Sequence, residues 1–148
     1  MSDAIQIAGT IAKPFEALRL RPYHDPVGFP TIGYGHLLSR EPWADLSRWK
    51  AIDEAEAERL LAVDLAKAAR AVRRLCPVPL SVEQSAALID FAFNLGAGNL
   101  QISTLRKAII RGDMNRAAEQ LGRWVYARGV KLPGLIRRRA AEREMFLS

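Results

Sequence analysis

One stretch of the chain, residues 21–36, excludes a purely helical fold. It reads RPYHDPVGFPTIGYGH and contains three prolines and three glycines, which are incompatible with a helix. Asp25, Pro26 and Gly28 occupy the first, second and fourth positions of a four-residue segment, a pattern typical of a type I turn. The sequence therefore predicts a β-hairpin whose turn carries Asp25.

The returning strand of this hairpin has an unusual distribution of side-chain size. Thr31, Gly33 and Gly35 alternate with bulkier residues, so one face of the strand is expected to be nearly bare. A bare face would let a bulky ligand approach the backbone closely. Alternatively, the glycines serve only a tightly twisted ribbon.

The rest of the chain has helical periodicity. Pro14 should end or kink a first helix, and apolar residues over residues 52–75 recur at spacings of three and four. Capping residues, glycines and prolines then place four helices in the carboxy-terminal half. One is capped by a Ser81–Gln84 box and stopped by left-handed Gly96, one runs from Ser103 through Ile110 to Gly112, one runs from Asp113 through Tyr126 to Gly129, and an Arg-rich one opens at Pro133.

Length and composition indicate one ordinary globular domain. The chain has 148 residues, of which 49% are hydrophobic and 26% are charged. Cys76 has no second cysteine with which to form a disulfide or a zinc site, so we expect it to be a small apolar filler.

The amino terminus lacks a basic cluster and a cleavage site, and no stretch approaches the roughly 18 apolar residues of a membrane span. We therefore expect cytosolic synthesis and no stable membrane insertion.

The net charge of +6 predicts attraction to polyanions, namely nucleic acid, an anionic membrane surface or a cell wall. Basic residues are concentrated in residues 130–148, but no aromatic residues are interleaved with them and no nucleic-acid reading motif is present. We therefore expect no nucleic-acid partner. The structural alternative is a solvated helix face with pairs such as Arg138 and Glu142 at four-residue spacing.

Two acidic residues flank the start of the hairpin. Glu16 follows Pro14, and Asp25 lies on the turn nine residues later, so the two carboxylates come from different elements. Glycoside hydrolysis needs such a pair, one group protonated to release the leaving oxygen and one ionised on the other side of the sugar. On spacing alone the signal is weak, because most of the 16 acidic residues should be solvated.

The complete segment is far more specific. Glu16, Asp25 and Thr31, embedded in FEALRLRPYHDPVGFPTIGYGH, closely resemble the catalytic segment of the phage lysozyme family, glycoside hydrolase family twenty-four. The segments FAFNLGAGNLQISTLRKAI and GRWVYARGVKLPGLIRRRAAERE resemble later parts of that family. The resemblance implies that Glu16 is the general acid, that Asp25 flanks the anomeric carbon, and that Thr31 helps to seat the attacking water.

The resemblance also implies the fold, which is α+β and mostly α. A small lobe with a β-hairpin, residues 14–52, would be joined by a long helix, residues 53–75, to a helical lobe. That lobe would contain residues 80–148 and the amino-terminal helix. The whole of residues 1–148 would form a single lysozyme-like catalytic domain.

Further residues match family positions with supporting roles. His36 and Asp64 would form a buried pair that ties the lobes together, although His36 could equally be a hydrogen-bonded core residue without a charged partner. Arg138 or Arg139 would orient Glu16 in the groove between the lobes. Phe93, Asn94 and Trp124 match groove positions, although helical aromatic residues are more often core, and Val27 replaces an acid found in some relatives.

The implied activity is hydrolysis of the β-1,4 bond between N-acetylmuramic acid and N-acetylglucosamine in bacterial peptidoglycan. Inversion is expected, with water as nucleophile and carboxyl groups about 6.5–9.5 Å apart. Neither a metal nor an organic cofactor is needed, the enzyme would be a monomer, and a phage holin would give it access to the wall. The alternatives are a lytic transglycosylase acting on the same bond and a non-catalytic cationic protein that binds walls or membranes.

Overall fold

A computed structural model describes residues 2–148, which divide into two compact units. Unit 1 combines the amino-terminal segment through Phe15 with Leu65–Ser148, and unit 2 is Glu16–Asp64. Thus the hairpin segment and both acidic residues singled out above belong to unit 2. The single-domain boundaries predicted above stay a prediction.

Unit 2 is built on a three-stranded antiparallel sheet in the order β1-β2-β3. The strands are β1 (Arg19–His24), β2 (Pro30–Gly33) and β3 (His36–Leu37). Tyr23 pairs with Thr31 across β1 and β2, and Thr31 pairs with Leu37 across β2 and β3. The predicted hairpin is confirmed, and Thr31 lies in the central strand. A short 3-10 turn, Leu46–Arg48, follows the sheet.

Helix α2 (Glu54–Leu75) is the predicted long helix. Its first turn is capped by Asp53, whose Oδ1 accepts a hydrogen bond from the backbone N–H of Glu56 at 2.8 Å. Residues through Asp64 belong to unit 2 and those from Leu65 to unit 1. The predicted stripe is buried throughout, as expected for an amphipathic helix: Leu61, Leu65, Ala68, Val72 and Leu75.

The remaining helices all belong to unit 1. Helix α1 (Ser2–Ala12) ends as predicted before Pro14, and a 3-10 turn, Lys13–Phe15, follows. The later helices are α3 (Val82–Leu95), α4 (Ala97–Ile102), α5 (Thr104–Ile110), α6 (Met114–Leu121) and α7 (Pro133–Leu147). Helix α3 packs against α1 and α7, and its apolar side chains from Ala86 to Ala92 lie in the core.

The caps explain where these helices begin. The Ser81–Gln84 capping box is present, and the hydroxyl of Ser103 accepts from the backbone N–H of Arg106, as predicted. Gly96 has a positive φ of 89°, which favours glycine, but its ψ of 152° lies outside the left-handed helical region. The chain therefore turns into α4, a short helix that the sequence analysis missed.

The predicted helix from Asp113 through Tyr126 is wrong beyond Leu121. Asp113 caps α6 as expected, but α6 ends at Leu121, and strands β4 (Tyr126–Ala127) and β5 (Val130–Lys131) form a second hairpin. Arg128 and Gly129 both have positive φ, 52° and 77°, which suits a two-residue hairpin turn. Gly129 therefore makes a β-turn and does not stop a helix.

The described chain is mostly helical with small antiparallel sheets, which confirms the predicted α+β class. None of the helices within residues 2–148 is both long enough and apolar enough to span a membrane.

Candidate active site

Asp25 is held by the turn on which it lies. Its Oδ1 accepts hydrogen bonds from the backbone N–H groups of Val27, at 2.9 Å, and Phe29, at 2.8 Å. The backbone N–H of Gly28 also donates to the carbonyl of Asp25, which closes the turn. Aspartate favours this position because its short carboxylate reaches amides two residues ahead. The carboxylate is thus oriented by the backbone of the predicted turn.

Thr31 is linked to Asp25 through the peptide groups of Phe29. The hydroxyl of Thr31 donates to the carbonyl oxygen of Phe29 at 2.8 Å, and the same oxygen accepts from the backbone N–H of Asp25 at 3.0 Å. Thr31 is buried in the central strand, so its hydroxyl position is fixed. Because its hydrogen is already donated, Oγ1 has lone pairs with which to accept a hydrogen bond from water.

Glu16 begins unit 2 directly after the 3-10 turn, because Pro14 prevents α1 from continuing. Its side chain is half-buried and lies against Gly35. A methyl group at Gly35 would lie 3.1 Å from Oε2 of Glu16. Gly35 has a positive φ of 76°, so glycine suits this position both for its backbone and for the space it leaves.

The charges of both acidic residues affect the pKa of Tyr23. Burial raises the pKa of its phenol, the negative charges of Glu16 and Asp25 raise it further, and the charge of Arg19 opposes them. The guanidinium of Arg19 lies 4.5 Å from the centre of the Tyr23 ring. The two carboxylates therefore share one electrostatic neighbourhood in unit 2. Tyr23 was not predicted as a site residue, although it lies only two residues before Asp25.

The bare strand face predicted for ligand approach is only partly present. A methyl group at Gly33 would meet Ala57 of α2 at 3.5 Å and Ile52 at 3.6 Å, so side chains of unit 2 cover this position. Gly35 faces Glu16 instead. Both glycines also have positive φ, so they are needed for the backbone of the turn between β2 and β3.

His36 and Asp64 form a pair, with Nδ1 of His36 2.8 Å from Oδ2 of Asp64. About a quarter of each side chain is exposed, so the pair is less buried than expected. Both residues belong to unit 2, where they connect β3 to α2. Their contribution to stability stays a prediction.

Arg138 and Arg139 lie in a buried charge network of unit 1. Arg138 donates to both oxygens of Asp90, at 3.0 Å and 2.8 Å, and Arg139 donates to Glu142 at 2.9 Å. The predicted solvated Arg138–Glu142 pair is therefore wrong, because Arg138, Arg139 and Glu142 are buried on the face of α7 that packs against α3. Asp90, the partner of Arg138, was not foreseen.

Burial governs the charge state of this network. It raises the pKa of Glu142 well above the ordinary value of 4.5, with a further contribution from a hydrogen bond to Asp90. The nearby guanidinium of Arg139 opposes that shift.

The three residues predicted to line a groove lie in unit 1. Oδ1 of Asn94 accepts a hydrogen bond from Nη2 of Arg139 at 2.7 Å. Trp124 packs edge-on against Phe91, with ring centroids 5.5 Å apart, and the ring of Phe93 lies 5.9 Å from the guanidinium of Arg138. Phe93, Asn94 and Trp124 are each half-buried, so each retains some exposed surface.

Residues 2–148 contain no group of three or more His, Cys, Asp or Glu side chains placed to hold a metal ion. Cys76 is buried, as expected of a core filler, and burial raises the pKa of its thiol to about 11.

The chain is similar in sequence to known proteins over most of its length. Residues 13–142 match the family described as phage lysozyme. The chain is 39% identical over 132 residues to a SAR-endolysin of bacteriophage PS119, covering 89% of this chain and 76% of the relative. It is 35% identical over 140 residues to an endolysin of Bacillus phage B103, covering 93% of this chain and 51% of the relative.

Solved structures agree with these sequence matches. The muramidase domain of SpmX from Asticaccaulis excentricus superposes with a TM-score of 0.81 at 31% identity, covering 98% of this chain and 95% of that one. An endolysin from Escherichia coli O157:H7 phage FAHEc1 has the same TM-score at 29% identity, with coverage of 100% and 92%. The fold is lysozyme-like, and the chain belongs to the phage lysozyme family.

Proposed function

We propose that this chain is an endolysin that hydrolyses the β-1,4 bond between N-acetylmuramic acid and N-acetylglucosamine in bacterial peptidoglycan. The observation that carries the proposal is the pair of carboxylates from different elements, Glu16 and Asp25, whose charges both raise the pKa of Tyr23. The backbone orients Asp25, while Glu16 lies half-buried against Gly35. Similarity to SAR-endolysins and to a muramidase domain supports the substrate class.

Glu16, Asp25 and Thr31 would each perform one part of the hydrolysis. Protonated Glu16 donates its proton to the glycosidic oxygen while the bond from that oxygen to the anomeric carbon breaks. A water attacks the anomeric carbon from the opposite face, and the carboxylate of Asp25 takes the proton that the water loses. Thr31 accepts a hydrogen bond from this water, since its own hydrogen is donated to Phe29. The products are two shorter glycans, one with a reducing end.

The proposal includes inversion at the anomeric carbon. A water must fit between sugar and base, which requires the carboxyl groups of Glu16 and Asp25 to lie about 6.5–9.5 Å apart and not near 5 Å. Proton NMR of the first product anomer formed from a glycan oligosaccharide tests this point. An initial α-anomer supports inversion, whereas an initial β-anomer shows retention.

The supporting residues also have proposed roles. Phe93, Asn94 and Trp124 would contact the glycan, and one of Arg138 and Arg139 would orient Glu16. The hydrogen bonds of Asn94 and of both arginines supply the rigidity that such roles need. Substitution of Phe93 or Trp124 by Leu, followed by KM measurements on soluble glycan, tests the binding role.

Mass spectrometry of digested peptidoglycan tests the reaction itself. Hydrolysis leaves reducing N-acetylmuramic acid ends, whereas a lytic transglycosylase leaves anhydro ends by internal attack. A non-catalytic cationic protein releases no fragments. Reducing ends therefore support the proposal, and either other result overturns it.

We further propose that the enzyme acts as a monomer, is made in the cytoplasm, and reaches the wall only after a holin opens the membrane. Expression of the chain alone in a bacterial cytosol should then be tolerated until a membrane-disrupting agent is added. Prompt lysis without such an agent would contradict this route. Sedimentation at several concentrations tests the monomer.

A further inference from the structure

Trp43 lies on the connection that follows β3 and packs onto the turn that carries Asp25. A methyl group at Gly28 would lie only 2.5 Å from Cε2 of the indole, so the ring rests directly on the glycine. The backbone N–H of Trp43 donates to the carbonyl of Gly28 at 2.8 Å. The indole also lies beside the ring of His24, with ring centroids 5.1 Å apart and an angle of 58° between the ring planes.

Both the backbone angle and the solvent exposure of Trp43 are unfavourable for a large apolar residue. Trp43 has a positive φ of 61°, which is costly for a bulky residue, yet the residue stays 66% exposed. A tryptophan kept only for packing would be expected to bury most of its ring, because burial is the source of its stabilising energy. Packing on Gly28 therefore does not account for the exposed surface.

The exposed indole lies beside the groups that orient the predicted base. Gly28 stands between Val27 and Phe29, the two residues whose N–H groups bind Oδ1 of Asp25. Val27 is itself 54% exposed, so Val27 and Trp43 give this turn an apolar outer surface. We call these two residues the turn platform.

We propose that the turn platform is a sugar-binding subsite in which the indole of Trp43 stacks on a hexosamine ring of the glycan strand. This inference rests on the proposed function. The C–H face of a pyranose is apolar and flat enough to cover an aromatic ring, and its hydroxyl groups stay in water at the rim. The backbone hydrogen bond from Trp43 to Gly28 would hold the indole in place before the sugar binds, which lowers the entropic cost of binding.

Kinetics on soluble peptidoglycan glycan strands test this subsite. Trp43→Ala should raise KM about fivefold with kcat within about twofold, since lost stacking removes binding that is equal in ground and transition states. Trp43→Phe should recover most of the loss. Trp49→Ala is the matched control, because Trp49 lies on the same connection but is half-buried under the guanidinium of Arg48, and it should leave KM unchanged.

The opposite pattern would overturn the subsite. If Trp43→Ala lowers kcat with KM unchanged, the tryptophan only braces the turn. A wild-type protein without hydrolysis would instead refute the proposed function.

A binding experiment keeps the inference testable even if Trp43→Ala does not fold. The three tryptophans are labelled with 5-fluorotryptophan in a Glu16→Gln background, and the fluorine resonance of Trp43 is assigned by its loss in Trp43→Phe. Addition of N-acetylglucosamine hexamer should shift this resonance and leave that of Trp49 in place. An unmoved Trp43 resonance while the hexamer binds elsewhere shows that the subsite does not exist.

Discussion

Oε2 of Glu16 lies 3.1 Å from the position that the methyl group of an alanine at residue 35 would occupy. Gly35 therefore does two things at once. Its positive φ of 76° turns the chain between β2 and β3, and its missing side chain leaves room for the predicted acid.

A matched pair of glycine substitutions separates these two effects. Gly112 has nearly the same φ, 78°, but nothing within 4 Å of an added methyl group. We expect Gly112→Ala to destabilise the fold by about 1 kcal/mol without changing activity. Gly35→Ala should cost at least as much and also lower kcat by on the order of tenfold, because it displaces the carboxylate. Equal kcat in both variants would show that Glu16 tolerates the shift; urea unfolding and glycan turnover give the two readouts.

Glu16→Gln should abolish peptidoglycan hydrolysis while the fold stays intact or becomes slightly more stable. The amide has nearly the shape of the acid but cannot supply a proton, and a half-buried acid kept for chemistry is a poor choice for stability. Turnover and thermal unfolding are measured side by side. A variant that keeps a tenth or more of wild-type turnover would remove Glu16 from its role.

Asp25→Asn should preserve the turn and impair the reaction. The amide oxygen of Asn can still accept from the N–H groups of Val27 and Phe29, so thermal stability should change little. Turnover should fall on the order of 100-fold, because the base that takes a proton from water is lost. Nearly unchanged turnover with anhydro product ends would instead favour internal attack by the substrate.

Two exposed arginines of α7, Arg137 and Arg143, are available to steer the enzyme towards an anionic wall. Wall turnover at limiting substrate should fall as salt rises, because screening shortens the field to about 8 Å at physiological ionic strength. Replacing both with Gln should mimic high salt without lowering thermal stability, and turnover of an uncharged oligosaccharide serves as control. Unfolding of this variant, or an unchanged salt dependence on whole walls, would show that the helix is only structural.

Glu142 should make the fold less stable as pH rises. Burial raises the pKa of Glu142 in the folded state, so above pH 4.5 the folded protein keeps a proton that the unfolded chain releases. Stability from this group is complete below 4.5 and declines as pH rises towards the folded-state pKa. Urea unfolding across this range should show a flatter profile for Glu142→Gln than for the wild type. An identical slope in both proteins would contradict the prediction.

The segment around Asp25 could be predicted from the sequence because its structure depends on interactions between neighbouring residues. The turn at Asp25, the caps at Ser81 and Ser103, and the end of α1 before Pro14 each depend on a few adjacent residues. The hairpin at residues 126–131 was missed because glycine after a helical pattern indicates a helix stop and a β-turn equally well. Only the backbone angles of Arg128 and Gly129 distinguish the two.

Contacts between distant parts of the chain were not readable in this way. Asp90 binds Arg138 across 48 residues, and no spacing pattern indicates which acid a buried arginine of α7 will meet. The packing of Trp43 is similar, since its indole lies on the glycine of a turn 15 residues earlier. These features require tertiary packing, which a single sequence does not display.

The peptide links around Phe29 give the site an internal reporter. Its N–H is bonded to the carboxylate of Asp25 and its carbonyl to the hydroxyl of Thr31. A movement of the Asp25 carboxylate must therefore change the nitrogen and proton resonance frequencies of the Phe29 backbone amide. The placement of the Asp25 carboxylate could be followed through the amide resonance of residue 29, in the unaltered enzyme and with the glycan bound.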